Sequence, residues 1–400
     1  MDRKRLPPLR GDYTRGVTDF AGRIDALTID DLRAAGSLKW TAYPGAIGAW
    51  VAEMDFGMAE PIFDAINAEV GALRTGYAPM DRRAELRAAT AEHLLARQDW
   101  QVDRDNIHWL PDVLTGLVVT MTFWSEPGSK IIVPTPCYMP FMDMPRTFGH
   151  ELVQLPMLGG QDSWEFDFDG LDRVFAAGAR LLVLCNPHNP IGKVYTREEL
   201  ERICEIVDRH DGLVFSDEIH APLVFPGAQH ISYASLNDVT AHHTVTALAA
   251  SKAYNLAGLK CAQLVLTNPG HNAFYSSQGH GIPFESTPVG MAATIAAWRS
   301  GQPWLDEVID YLFANRQLVA ERIAAIGGMH MIVPDATYLA LIDCRGLGLE
   351  DPRAHFLDHG VALTDGIECG DAARGFVRLN FAMPRPVLAE ALDRMENSLR

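Results

Sequence analysis

Cationic side chains are scarce in this chain of 400 residues, and the scarcity narrows its possible partners. Lysine and arginine together number 34, against 51 aspartates and glutamates, and the formal net charge at pH 7 is -17. Nucleic acids and anionic membrane surfaces bind through positive protein surfaces, so we expect neither as a partner. The composition is 48% hydrophobic and 21% charged, which is typical of a soluble globular protein.

Cysteine is also scarce, and no two cysteines form a Cys-x-x-Cys pair. This pattern is typical of reduced thiols, and no spacing of cysteines and histidines suits a metal site. Residues 1–20 are charged and lack the apolar core of a secretory signal, and the longest nearly apolar run, 113–124, is too short to span a bilayer. We therefore expect a cytoplasmic protein without a bound metal. The six cysteines are Cys137, Cys185, Cys204, Cys261, Cys344 and Cys369.

From residue 107 the sequence alternates between apolar strand-like runs and helical patterns, which predicts an α/β fold. The run 181–184 is continuously apolar, so the sheet is expected to be mostly parallel and buried on both faces. The predicted strands are 107–110, 130–134, 152–155, 180–185, 213–216, 244–248 and 262–266.

The length of the chain predicts two domains, because a single hydrophobic core rarely grows to 400 residues. Residues 1–45 are irregular, and we interpret them as an N-terminal arm and small-domain segment with one short helix near 30–35. Residues 46–285 are predicted to form the large domain. Residues 286–400, which contain long helical patterns, are predicted to form a smaller α+β domain.

Three loops that follow predicted strands carry unusual polar residues, and ligands of α/β sheets bind at such strand ends. The loop 185–192 contains two Asn-Pro steps, whose prolines hold the chain extended. The next loop begins at Asp217, a carboxylate that is costly at the end of an apolar strand unless it meets a cation or donors. The third, 251–260, contains Lys252, which an apolar pocket would make more nucleophilic. Each of these residues alone also fits an ordinary structural role. The asparagines could form turns, Asp217 could cap a helix, and Lys252 could be a solvated lysine in an exposed loop.

Together, an asparagine, an aspartate and a lysine at neighbouring strand ends fit the needs of pyridoxal 5'-phosphate (PLP). The lysine can hold the cofactor aldehyde covalently, and the aspartate can keep the pyridine nitrogen protonated so that the ring accepts electrons. The asparagine can donate to the phenolic oxygen of the ring. The combination of the three loops therefore predicts a PLP site.

Three signatures in this order carry a family resemblance: Asn-Pro-His-Asn-Pro-Ile-Gly-Lys-Val at 186–194, Ser-Asp-Glu-Ile-His at 216–220, and Ser-Lys-Ala-Tyr-Asn-Leu-Ala-Gly-Leu-Lys at 251–260. Over residues 50–385 the chain resembles fold type I, aspartate-aminotransferase-like PLP enzymes. Within that superfamily it is similar to the MalY/PatB-type cystathionine β-lyases. The resemblance implies a seven-stranded, mostly parallel sheet in an α/β/α sandwich, with a smaller α+β domain.

The resemblance also implies which residues contact the cofactor ring. Lys252 would bind the aldehyde, Asp217 the pyridine nitrogen, and Asn189 the ring oxygen. Tyr138 matches the aromatic residue that stacks on the ring, a geometry that suits tyrosine. His220 stands where transaminating relatives commonly have a tyrosine, which favours the lyase group.

The expected phosphate site lies at a helix N-terminus, where backbone amides favour anions. The resemblance assigns it the amides of Val113 and Leu114 and the cation of Lys260. Tyr77 matches a tyrosine that reaches the phosphate from the partner subunit, which implies a homodimer with a shared active site. Ala249 stands where a hydroxyl residue is common, so that contact is missing or supplied otherwise.

For the substrate, the resemblance implies that Arg378 binds the α-carboxylate through its planar fork, beside Asn189 and Tyr77. The expected reaction is α,β-elimination, with Lys252 removing the Cα proton. Cystathionine or another cysteine S-conjugate would give a thiol, pyruvate and ammonia.

Three other functions remain open at this point. An aminotransferase would share every cofactor contact. An enzyme of specialised metabolism that cleaves or oxidatively deaminates a bulky cysteine conjugate is suggested by the unusual segment 278–287, and by Glu53 and Met383 where relatives often have aspartate and cysteine. A purely regulatory, protein-binding role is disfavoured, because the chain retains the lysine, aspartate, asparagine and arginine of the site.

Overall fold

The computed structural model describes residues 20–159, 162–278 and 285–400. Within these ranges the helices are α1 (Phe20–Asp25), α2 (Ile29–Ala35), α3 (Leu38–Thr41), α4 (Glu60–Gly71), α5 (Met80–Gln98), α6 (Val113–Trp124), α7 (Pro140–Thr147), α8 (Phe168–Ala176), α9 (Arg197–Arg209), α10 (Asp238–His242), α11 (Pro269–Ser277), α12 (Pro288–Ser300), α13 (Gln302–Ala325), α14 (Pro352–Asp358) and α15 (Arg385–Asn397). The strands are β1 (Ile47–Gly48), β2 (Ile107–Leu110), β3 (Lys130–Thr135), β4 (Glu151–Pro156), β5 (Leu158–Gly159), β6 (Trp164–Glu165), β7 (Ala179–Cys185), β8 (Leu213–Asp217), β9 (Thr244–Leu248), β10 (Ala262–Val265), β11 (His330–Met331), β12 (Leu339–Asp343), β13 (Val361–Ala362), β14 (Thr364–Asp365) and β15 (Phe376–Asn380).

The main sheet has seven strands in the order β2-β10-β9-β8-β7-β3-β4. The strands β9, β8, β7, β3 and β4 pair in parallel, whereas β10 pairs antiparallel with both β9 and β2. Each of the seven predicted strands lies in this sheet, so the predicted α/β fold with a mostly parallel sheet is confirmed.

Both faces of the sheet are covered, which explains the continuous apolar runs of its strands. Leu181 of β7 belongs to a buried core with α6, whereas the next residue, Leu182, belongs to a core with α8 and α9 on the other face. At Gly116 the helix α6 approaches the sheet so closely that an added Cβ would lie 3.1 Å from the Cβ of Ala247. The layers therefore form the predicted α/β/α sandwich.

A second, antiparallel sheet has four strands in the order β11-β12-β15-β14. The helices α13 and α15 pack against each other, and α14 packs against β15. β1 pairs in parallel with β13, with Ile47 opposite Val361, and α1 contacts α15. These contacts attach the N-terminal segment to the C-terminal part of the chain. The domain limits at residues 45 and 285 stay a prediction.

The N-terminal segment is more regular than the single short helix that we expected near residues 30–35. It contains α1, α2 and α3, and α2 begins at a capping box in which the side chains of Thr28 and Asp31 accept each other's backbone amide protons at 3.2 and 3.0 Å. Residues 1–19 of the predicted arm lie outside the described residues. In the part of the chain that is described, no helix is long and apolar enough to cross a membrane.

Candidate active site

The carboxyl ends of β7, β8 and β9 bring the three predicted loops to one edge of the sheet. Cys185, the last residue of β7, lies opposite Asp217 at the end of β8, and Asp217 lies opposite Ala247 of β9. The loop with Asn189 follows β7, and the loop with Lys252 follows β9. Because parallel strands end at the same edge, residues far apart in sequence meet there.

Lys252 projects into this edge, and its Nζ donates a hydrogen bond to the carbonyl oxygen of Ala52 at 2.9 Å. Burial lowers its pKa to about 8, and the nearby Arg378 lowers it as well, whereas Glu53 and Asp217 raise it. A substantial fraction of the Lys252 amine is therefore neutral near pH 8, which is the form that attacks carbonyls and removes protons.

Asp217 is buried, with 4% of its surface exposed, and its Oδ1 accepts a hydrogen bond from the amide of Ile219 at 3.0 Å. Burial raises its pKa to about 7, and the adjacent Glu218 raises it further, whereas the Ile219 amide and Lys252 lower it. A positively charged partner would stabilise the ionised form of this buried carboxyl group, because an opposite charge favours the carboxylate.

Arg378, in the middle of β15, is 2% exposed. Its Nη2 donates to the carbonyl oxygen of Trp50 at 3.0 Å and to Thr364 Oγ1 at 3.2 Å, and its Nη1 donates to Asn189 Oδ1 at 3.3 Å. Among the described residues, its Nε has no hydrogen-bond partner and no carboxylate forms an ion pair with it. Burial lowers its pKa. A buried cation without an anion is costly, so this guanidinium is prepared for an anionic ligand.

Tyr138 and His220 complete the cluster. The ring of Tyr138 packs edge-on against Phe141 at 5.5 Å between centroids, and its pKa is raised, chiefly by burial and next by Asp217. His220 is 1% exposed, and both of its ring nitrogens are buried without a hydrogen-bond partner in the part of the chain that the structure describes. Burial lowers its pKa to about 3, and Lys252 lowers it further, so the ring is neutral at physiological pH. The two ring nitrogens of His220 and the Nε of Arg378 are therefore open to hydrogen bonds with a polar ligand.

The expected phosphate site lies beside this cluster, at the N-terminus of α6. Asp112 caps the helix by accepting a hydrogen bond from the amide of Thr115 at 2.9 Å. Val113 and Leu114 are the first two helical residues. The Nζ of Lys260 lies 3.0 Å from Asp112 Oδ2, and the lysine side chain is 55% exposed. Two helix-terminal amides and a lysine thus occur together, an arrangement that favours phosphate.

Tyr77 is the predicted site residue that the structure does not bring to the cluster. It lies between α4 and α5 and is 98% exposed. Ala249 is buried and offers no hydroxyl. Most of the unusual segment 278–287, namely residues 279–284, lies outside the described residues.

The sequence matches the model of a family, Aminotransferase class I and II, over residues 51–395. The chain belongs to this family. The match covers every predicted site residue and confirms the family to which the three signatures pointed.

Individual family members are similar along almost their whole length. Cystathionine β-lyase of Corynebacterium glutamicum is 33% identical over 381 residues, covering 93% of this chain and 99% of that protein. Cystathionine β-lyase PatB of Bacillus subtilis is 32% identical over 376 residues, covering 91% and 96%. The crystal structure of a putative PLP-dependent β-cystathionase from Corynebacterium diphtheriae is 37% identical with a TM-score of 0.89, covering 93% of this chain and 98% of that one. These likenesses confirm the predicted resemblance and the fold.

Two asparagines of the site had no predicted role. Asn255 bonds Met54 in both directions, accepting from its amide at 3.1 Å and donating to its carbonyl oxygen at 3.0 Å. Asn380 donates to the carbonyl oxygens of Val51 and Glu53 at 2.6 and 2.7 Å. Both tie the segment beside Lys252 in place. Position five of the third signature was the only hint of Asn255, because its partner lies about two hundred residues away in sequence.

Glu218 also had no predicted role beyond its place in a signature. Its buried carboxylate accepts from Ser216 Oγ at 2.9 Å, Ser232 Oγ at 2.6 Å and the amide of Tyr233 at 3.2 Å. These donors satisfy a second carboxylate directly beside Asp217, whose pKa Glu218 raises. The sequence shows the pair of acidic residues but not the donors that stabilise it.

Proposed function

We propose that this protein is a PLP-dependent C–S β-lyase that cleaves cystathionine or another cysteine S-conjugate by α,β-elimination to a thiol, pyruvate and ammonia. The observation that carries the proposal is the buried Arg378 beside Lys252. No described carboxylate forms an ion pair with it, so it offers an amino acid's carboxylate a cation next to a lysine with a lowered pKa. The similarity to cystathionine β-lyases along nearly the whole chain supports the C–S cleavage.

The residues present fit PLP. When bound, the cofactor supplies an electron sink for the negative charge that develops at the substrate Cα. Lys252 would hold its aldehyde, Asp217 its pyridine nitrogen, and Asn189 and His220 would lie on the side of its ring oxygen, with Tyr138 against the ring face. Its phosphate would be held by Lys260 and by the amides of Val113 and Leu114.

Lys252 is proposed to act as the general base that removes the Cα proton. Its lowered pKa suits this role, because a base is most effective when its pKa lies near the working pH. The hydrogen bond from Nζ to the Ala52 carbonyl oxygen directs the amine toward the segment 50–56.

Arg378 is proposed to bind the α-carboxylate and thereby to orient Cα toward Lys252. Its Nη groups are already fixed by Trp50, Thr364 and Asn189, so little side-chain freedom is lost when the substrate binds. A planar guanidinium can donate two parallel hydrogen bonds to a carboxylate.

We also propose a homodimer with a shared active site, to which Tyr77 contributes from the partner subunit. An exposed tyrosine beside exposed apolar residues supports this, since Tyr77, Leu73 and Met80 are 98%, 85% and 75% exposed in one chain. A cytoplasmic location is proposed on the six cysteines, all of them free and buried.

Replacement of Lys252 tests the proposal. The Lys252→Ala variant is expected to lose both the covalent cofactor adduct and pyruvate release from cystathionine. Lys130→Ala serves as a control, because Lys130 lies at the start of β3, at the opposite end of that strand from the site, and its Nζ donates to the carbonyl oxygen of Ala177 at 3.2 Å. Retention of full lyase activity by Lys252→Ala would contradict the assignment.

A further inference from the structure

Glu53 presents a carboxylate at the candidate active site that no group of the described chain binds. Its side chain is half-buried. Its backbone is fixed, since its carbonyl oxygen accepts from Asn380 Nδ2 at 2.7 Å and from Lys39 Nζ at 3.3 Å. Across residues 20–159, 162–278 and 285–400, however, no hydrogen bond or ion pair reaches its carboxylate oxygens.

Glu53 follows the residue that accepts the hydrogen bond of the reacting lysine. The preceding residue, Ala52, accepts hydrogen bonds from both Lys252 Nζ at 2.9 Å and Tyr338 Oη at 3.0 Å. The charge of Glu53 raises the pKa of Lys252 and that of Tyr338. The carboxylate therefore lies within electrostatic reach of the groups that surround the substrate.

The nearby structural cation is already paired. Lys39 is buried and forms an ion pair with Asp55 at 2.8 Å, and it also donates to the carbonyl oxygen of Ala382 at 3.0 Å. Although the charge of Glu53 raises the pKa of Lys39, the lysine head is directed to these other acceptors. Glu53 is thus not needed to neutralise it.

A free carboxylate at this point has two costs. It loses part of its hydration without gaining a partner among the described residues, and it favours the charged form of Lys252, which cannot act as a base. Both costs disappear when a ligand supplies a cation. In the proposed reaction Arg378 takes the α-carboxylate, and the α-amino group and Cα lie with Lys252, so the part of the substrate left for Glu53 is the S-substituent.

We propose that Glu53 is a specificity-determining residue that binds a cationic group on the S-substituent. The preferred substrate class is then cysteine S-conjugates that carry an amine or another cation on the leaving thiol. Cystathionine, with an ammonium group in its leaving half, belongs to this class, whereas simple S-alkyl cysteines do not. The inference rests on the proposed function and further specifies its substrate class by the charge of the leaving thiol.

Three probes of similar length test the proposal with the holoenzyme: S-(2-aminoethyl)cysteine, S-propylcysteine and S-(2-carboxyethyl)cysteine. For each, kcat/KM is measured from pyruvate release and Kd by calorimetry. Only the aminoethyl conjugate can form a charge-assisted hydrogen bond with Glu53, so it is expected to exceed the propyl conjugate by about tenfold or more, with the carboxyethyl conjugate weakest.

Matched variants assign the preference to Glu53. Glu53→Gln should bring the aminoethyl-to-propyl ratio close to one, and Glu53→Asp, which keeps the charge, should retain much of it. Glu321→Gln removes the same charge from an exposed position on α13 and should leave the ratio unchanged. Equal ratios in the wild type and Glu53→Gln, or a wild-type ratio near one, would overturn the proposal.

The two measurements separate this inference from the proposed function. If the probes bind in the expected order but no pyruvate forms, the lyase function fails and the role of Glu53 stands. If pyruvate forms from all three probes without preference, the lyase function stands and the role of Glu53 fails.

Discussion

Replacing Arg378 by glutamine is expected to remove most of the activity while leaving the protein folded and loaded with cofactor. Within the described ranges the Nε of Arg378 has no partner, and Nη1 makes long contacts, at 3.3 Å to Asn189 Oδ1 and 3.5 Å to Met139 Sδ. Nε and Nη1 are thus the two donors that the described chain occupies least, and we expect both to bind the carboxylate. Glutamine keeps a polar side chain at the position but supplies neither the positive charge nor the planar guanidinium with its two parallel donors.

The magnitude follows from those two donors. Each charge-assisted hydrogen bond contributes about 1.5–3 kcal/mol, so the loss of both costs about 3–6 kcal/mol of substrate and transition-state binding. Since about 1.4 kcal/mol corresponds to a factor of ten, kcat/KM should fall by about 10²–10⁴. Arg378→Lys keeps the charge without the planar fork and should lose less, about ten- to a hundredfold.

The assay is pyruvate release from a cysteine S-conjugate at several concentrations, with the cofactor content and the melting temperature of each variant measured in parallel. Arg374→Gln is the matched control, because Arg374 lies close to the same strand but its side chain is 75% exposed. A loss of less than about threefold in Arg378→Gln, or a loss that the cofactor content accounts for entirely, would refute the reasoning.

Three further predictions concern the cofactor site. Burial raises the pKa of Asp217 to about 7. Between pH 4 and 7 the Asp217 carboxyl group is therefore protonated in the folded apoprotein but ionised in the unfolded chain. Its contribution to the free energy of unfolding thus falls as the pH rises through that window. The apo Asp217→Asn variant should therefore exceed the wild type in urea stability by a few kcal/mol at about pH 8 and lose this advantage below pH 4; equal stability at both pH values would contradict the burial argument. Because the pKa of Lys252 is about 8, the rate at which PLP recombines with apoprotein should rise with pH up to about 8 and then level off; a rate that keeps rising tenfold per pH unit to pH 10 would contradict it. Lys260→Met should weaken PLP binding about tenfold in equilibrium dialysis, whereas Lys130→Met, far along the sheet at the start of β3, should not.

The main sheet could be predicted because each of its strands is a short apolar run between turn signals. The structure extends β8 by one residue, to Asp217, because that residue still pairs with Cys185 of β7. The bounds of α7 could not be predicted, since it is short and contains Pro145. The two-residue pairing of β1 with β13 joins segments more than three hundred residues apart, so local sequence carries no signal for it.

Of the candidate site, the sequence indicates the residues that lie in signatures but not the contacts that hold them. Lys252 and Asp217 could be placed because the strands before them are recognisable. That Arg378 has no ion-pair partner among the described residues could not be predicted, because this depends on which side chains surround β15 in three dimensions. The same holds for Glu53, because the sequence shows a carboxylate at this position but not that none of the described groups binds it.

The most direct test of the lyase function counts turnovers without a keto acid. The purified holoprotein is mixed with excess cystathionine, and pyruvate and free thiol are measured per active site over time. The proposal predicts continuous release of both products, in equal amounts and many times the amount of enzyme. Release of no more than one equivalent, with conversion of the cofactor to its amine form and turnover only after a keto acid is added, would contradict it.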